Sequence, residues 1–175
     1  SALPPEMLPA TQVAWGRNIT TRGGRPHTRP AIRQLGYLPS GRFQGIGYFS
    51  KAGGLLVTSI AGRLYRVSLS RDGFLTSPIE MGGFDNSPAQ RRVWFCETPS
   101  ALIVQDDQSR ALLYDGARGR RSARSNDEVP IGSHMAYANG RLWTAIEGGT
   151  KLVAGDIYDE SVAGSALRVT ETNFL

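Results

Sequence analysis

The residues best able to do chemistry in this chain are two histidines, one cysteine and an aspartate pair. None has partners at a working interval. His27 and His134 lie more than a hundred residues apart, with no cysteine or acid nearby at the spacing a zinc site needs. Asp106-Asp107 sits in QDDQS, which lacks the alternating acids and central glycine of a calcium loop. Aspartates at a hairpin tip bond to nearby backbone, and holding that turn is the role expected of them. Cys96 stands alone in the apolar run VWFCE, so it has no disulfide partner and reads as a small core residue. His134 opens a strand and reads as a partly buried polar residue. GxSxG, HExxH and phosphate-loop patterns are missing from the sequence, and no carboxylate pair stands out. The expectation is therefore a chain without catalytic residue, metal or cofactor.

The arginines carry the stronger signal. The formal charge is +5 and the basic residues are 18 Arg and 2 Lys. Residues 1–42 hold Arg17, Arg22, Arg25, Arg29, Arg33 and Arg42 against one acid, Glu6, whereas residues 43–175 balance 14 basic against 14 acidic groups. Six prolines also fall in residues 1–42. Each removes a backbone donor and disfavours helix before it. The first 42 residues thus read as an extended basic arm with a strand at 12–19. Proline-stiffened chain lies along a neighbour at low ordering cost, and forked guanidinium groups pair with carboxylate or phosphate. The partner-binding residues expected are Arg17, Arg22, Arg25, Arg29 and Arg33. Protein and DNA both remain open as what they meet. A second basic loop is expected at Arg118, Arg120, Arg121 and Arg124, inside a solvated connection over residues 116–132.

The body that must position these groups reads as strands and tight turns. Residues 54–69 place two apolar runs around Ala61-Gly62, a hairpin pattern. It returns at 100–116, turning at 106–109, and at 140–157, turning at 147–150. The hairpins start at Leu55, Leu102 and Leu142, 47 and 40 residues apart. A shorter strand precedes each one: FQGIGYF (43–49), RRVWFCE (91–97) and SHMAYAN (133–139). One strand, one hairpin and a polar connection, repeated at this period, describe a propeller blade. The fold expected is all-β, with propeller-like repeats at 43–90, 91–132 and 133–175 behind the arm; a β-sandwich or open barrel is the alternative. The large aromatics Tyr48, Tyr65, Trp94, Tyr114, Tyr137 and Trp143 fall on these strands, where core packing is expected. The chain begins with Ser and stops without a turn signal, as a processed product or part of a longer polypeptide would. No apolar run approaches a membrane span.

The opening LPPEMLPATQVAWGRNITTRGGRPHTRPAIRQL resembles the start of certain virion proteins of tailed bacteriophages. The residues that carry it are Leu8-Pro9, Gln12, Asn18, Arg22, Gly23 or Gly24, Arg29-Pro30 and Leu35; the family usually has glycine where this chain has Ala31. The closing KLVAGDIYDESVAGSALRVTETNFL is similar to a phage segment in which a strand ending in GD is followed by a TE pair, and in those relatives the chain continues further. The resemblance implies a structural protein of the tail or connector, nozzle-like, with β-propeller repeats in a symmetric ring. It implies location in the virion, and as partners other copies of the chain and neighbouring virion proteins. DNA contact in a channel is the secondary expectation. A propeller-type module that binds a glycan or receptor is the alternative, and a propeller hydrolase a third.

Overall fold

A computed structural model of the chain describes residues 19–22, 25–28, 36–73, 75–123, 128–162 and 164–170. Two compact units are present, Ser1–Gln34 and Leu35–Leu175. The division falls before the expected arm boundary at 42 because residues 36–42 already bond within the second unit. Ala61 N donates to the Arg42 carbonyl at 2.9 Å, and Gly36 lies on the Leu75 side chain.

In the first unit, β1 (Ile19–Arg22) pairs antiparallel with β2 (Arg25–Thr28), Arg22 opposite Arg25. Within the stretch expected as extended arm and loop, the described residues form a hairpin. The β-branched Ile19, Thr20 and Thr21 favour strand, and the glycine pair between the two strands is a turn signal. Pro26 is tolerated because a two-stranded ribbon leaves each strand one free edge. The strand expected at 12–19 falls, except for Ile19, outside the described residues.

The second unit holds three antiparallel meanders. The first runs β3 (Phe43–Phe49), β4 (Leu55–Ile60), β5 (Arg63–Val67) and β6 (Ile79–Glu80). The second runs β7 (Trp94–Glu97), β8 (Leu102–Gln105), β9 (Leu112–Tyr114) and β10 (Gly119–Arg121). The third has β11 (Met135–Ala138), β12 (Arg141–Ile146) and β13 (Lys151–Ala154). Two-residue turns set the register where the sequence supplies the residues for them. Ala61-Gly62 (φ 50° and 83°) joins β4 to β5, and Asn139-Gly140 (φ 53° and 73°) joins β11 to β12. Both residues of each turn are left-handed, the primed geometry that matches strand twist.

The sheets stack through their faces, with β3 beside β7 and β7 beside β11. Strand side chains alternate between faces, so the middle sheet is covered twice. Leu102, Val104, Leu112 and Tyr114 turn to the first sheet and pack on Phe49, Val57 and Leu64. Cys96, Ile103 and Leu113 turn the other way, onto Leu142, Met135 and Tyr137 of the third. All four residues of β8 are buried for this reason. Each fully buried aliphatic side chain contributes about 1.5–3 kcal/mol relative to exposure.

The chain is all-β, as expected, and no described helix reaches seven residues. Among the described residues the sheets close into neither a barrel nor a ring. Four sequence readings need correction. The strand expected over 91–97 begins only at Trp94, since Arg91 and Arg92 are exposed ahead of the seam. The connection over 116–132 is not all loop: Gly119–Arg121 is the fourth strand of the middle sheet. His134 is exposed rather than partly buried, and so is Tyr48, while Tyr114 is buried.

Candidate functional site

The seam between the first and second sheets gathers the largest set of fixed polar groups. Its anchor is the stretch 85–90, which connects the two sheets. Gln44, buried at the start of β3, donates from Nε2 to the carbonyls of Ser87 (2.9 Å) and Gln90 (2.8 Å). Its Oε1 accepts from Ser59 Oγ (2.9 Å) and Gly62 N (2.7 Å). The carboxamide thereby uses both its donors and both its lone pairs.

Asp106 holds the same connector from the second sheet. Its Oδ2 accepts from Ser87 N (2.8 Å) and Ser109 Oγ (3.1 Å), and its Oδ1 from Gln108 N (3.0 Å) and Ser109 N (2.6 Å). Burial pushes this carboxyl up. The bonds from Ser87, Ser109 and Gln108 outweigh burial and hold it below the ordinary carboxylate range. The turn role expected of Asp106 is the one it has, and it also clamps the neighbouring sheet.

Arg121 closes the arrangement. Its fork donates to Asn86 Oδ1 (2.9 Å) and to the carbonyls of Arg110 (2.7 Å) and Asp85 (2.8 Å). Arg120 donates through two nitrogens to Glu128, at 2.7 and 2.6 Å. That bond draws the half-buried Glu128 carboxyl down against burial, helped by Ala123 N. Arg118 is exposed, and its backbone N bonds to Asp115 Oδ1 at 2.6 Å. Of the basic loop expected from sequence, Arg120 and Arg121 are therefore internal ties, Arg118 faces solvent, and Arg124 lies outside the described residues. In the arm, Arg22 and Arg25 stand opposite one another on β1 and β2; Arg17, Arg29 and Arg33 lie outside the described residues.

At the second seam, Gln105 Oε1 accepts from Gly132 N (2.5 Å), and its Nε2 contacts Met135 Sδ at 3.3 Å. The Trp94 and His134 rings meet at 5.2 Å with 56° between planes. Trp94 Nε1, Asn86 Nδ2 and Ser100 Oγ are buried without a hydrogen-bond partner. A groove of about 600 Å3 opens where the second and third sheets diverge, with Val129, Ile131, Ile146 and Val153 on its walls and Arg110 at its rim.

This arrangement binds sheets to one another. Among the described residues, no group of three or more His, Cys, Asp or Glu side chains is placed to hold a metal ion, and no helix is long and apolar enough to cross a membrane. Sequence reasoning missed Gln44 and the clamp made by Arg121. Their partners lie up to 46 residues away, and no local pattern announces them. Comparison with protein-family models, with curated proteins and with solved structures finds no match for this chain.

Proposed function

We propose that the chain is a structural component of a bacteriophage virion, in the tail or connector region, assembling through subunit contacts made partly by its basic N-terminal arm. The observation that carries this reading is the stack itself. The first two of three blade-like meanders are fixed to each other by Gln44, Asp106 and Arg121, and the third packs on the second through Gln105 and an apolar seam. A body so tied suits a scaffold, and the charge excess in residues 1–42 suits a strap on a neighbouring acidic surface. The resemblance of both chain ends to tailed-phage virion proteins points the same way. In this reading the stack is part of a propeller-like ring, and DNA in a channel is the secondary partner of the arginines. Deleting residues 1–34, which form a separate unit, should abolish incorporation into particles while leaving the thermal unfolding of the body unchanged. Normal incorporation of the truncated chain refutes the arm's role.

One observation favours a glycan- or receptor-binding module. Tyr37 is 82% exposed on the segment leading to β3, and such a ring can stack on a sugar face. Glycan-array binding that Tyr37→Ala removes would establish that reading in place of the first.

A further inference from the structure

We infer that the groove between the second and third sheets binds an aliphatic carboxylate, with the carboxylate held by Arg110 and Ser122 and the hydrocarbon laid along the apolar walls. The groove lies within the second unit, apart from the arm, so the inference stands independently of the assembly reading.

The walls are aliphatic and fixed in place. Val129, Ile131, Ile146, Val153 and Val169 line a space of about 600 Å3, a size that suits a small ligand. Ile131 is left 44% exposed. The connector over residues 128–133 is tied to both sheets. Gly132 N donates to Gln105 Oε1 of the second (2.5 Å), and Ser133 N to the Ala145 carbonyl of the third (2.8 Å). Val129 N is held by the Leu167 carbonyl at 2.9 Å. A Cβ on Gly132 would lie 2.4 Å from the Ala145 carbonyl oxygen, so the connector is seated as closely as backbone allows. The groove is thus formed before any ligand arrives, and filling it costs little ordering of the chain.

One corner of the groove is polar. Ser122 is 5% exposed and lines it. Its N bonds to the Ala111 carbonyl at 2.8 Å, and Ala111 packs with Ile103 and Leu113 in the core shared with the third sheet. Cross-strand neighbours share a face, so Ser122 turns to the groove as well. Among the described residues its Oγ has no hydrogen-bond partner. A buried hydroxyl left so is costly, and a ligand oxygen would satisfy it. Arg110 precedes Ala111 and reaches the same corner. It is exposed, and among the described residues no acid pairs with it. The acid on the groove wall, Glu128, is already neutralised: Arg120 bonds both its oxygens, at 2.7 and 2.6 Å, and Ala123 N adds a third bond at 2.7 Å. The uncompensated charge is therefore positive, on a fork whose geometry matches a carboxylate. A cation and a hydroxyl at one corner of an aliphatic groove select an anionic head on a hydrocarbon body.

The test is calorimetric titration of the full chain with octanoate, decanoate and dodecanoate, and with decanol as the uncharged control. One carboxylate should bind per chain, about fourfold more tightly for each methylene the walls cover. Decanol should bind about fivefold more weakly than decanoate. Arg110→Gln should weaken decanoate by about the same factor and leave decanol unchanged, which separates the charge from the walls. Ile131→Asp sets a like charge on the wall and should abolish decanoate binding. Both sites are exposed, so thermal unfolding without ligand should match the parent. Failure of decanoate to bind, uptake of many molecules per chain, or an Arg110→Gln variant that weakens decanoate and decanol equally overturns the inference. Binding of an aliphatic peptide with a free C-terminus, when decanoate does not bind, overturns it in favour of a peptide. None of these results bears on whether the chain lacking residues 1–34 enters particles.

Discussion

Asp106→Asn tests the reasoning about the first seam most sharply. The carboxylate accepts four hydrogen bonds, two on each oxygen, and three of the donors are backbone N–H groups. Asparagine keeps one acceptor oxygen and sets an NH2 in place of the other. Whichever way the amide turns, that NH2 faces two donors. Bonds to a charged acceptor are worth about 1.5–3 kcal/mol each. Gln108 is exposed and Ser109 partly so, and their amides can turn to water. With some of the bonds recovered in this way, the net loss is about 2–4 kcal/mol. For a chain of this size, with a urea dependence of about 2 kcal/mol/M, the midpoint should fall by about 1–2 M. The folded carboxyl titrates below its unfolded value, so its stabilisation is full at neutral pH and is lost as pH drops through the folded value. The gap between parent and variant, followed by tryptophan fluorescence in urea, should therefore be widest at pH 7 and narrow below about pH 4. An unchanged midpoint at pH 7, or a gap that widens in acid, refutes the account.

Three further outcomes follow from the seams. Gly47→Ala places a Cβ against Phe95 and should cost about 1–3 kcal/mol in chemical denaturation; adding Phe95→Ala should return part of that loss, and additive costs would contradict the close approach. Burial, aided by Glu97 and opposed by a backbone bond with Tyr137, pushes the Cys96 thiol up to about 11, so iodoacetamide at pH 8 should label it at least about a hundredfold more slowly in the native chain than in urea. Arg121→Lys replaces a fork that serves three acceptors with a single ammonium. It should lower stability by about 1–3 kcal/mol, while Arg118→Lys at an exposed site shifts it by under about 0.5 kcal/mol; equal effects of the two would refute the clamp.

The sequence by itself determined the central strands of the body and the Ala61-Gly62 turn, but not the edge strands Ile79–Glu80 and Gly119–Arg121. FQGIGYF is β3 residue for residue, and the Ala61-Gly62 pair sits in the left-handed turn expected of it, whereas Asn139, read as the end of a strand, forms a further such turn with Gly140. Such features are legible because alternation and turn chemistry act over two to four neighbouring residues. Only the tertiary structure decided what the polar residues do. Gln44 stands in a strand beside apolar neighbours, and its partners Ser87 and Gln90 are 43 and 46 residues on. Arg121 read as part of a basic loop, yet its fork reaches Asp85 and Asn86 across the seam. Those bonds exist only once two sheets have stacked, because stacking sets which distant donors and acceptors come within 3 Å, and nothing in the local chain encodes that distance.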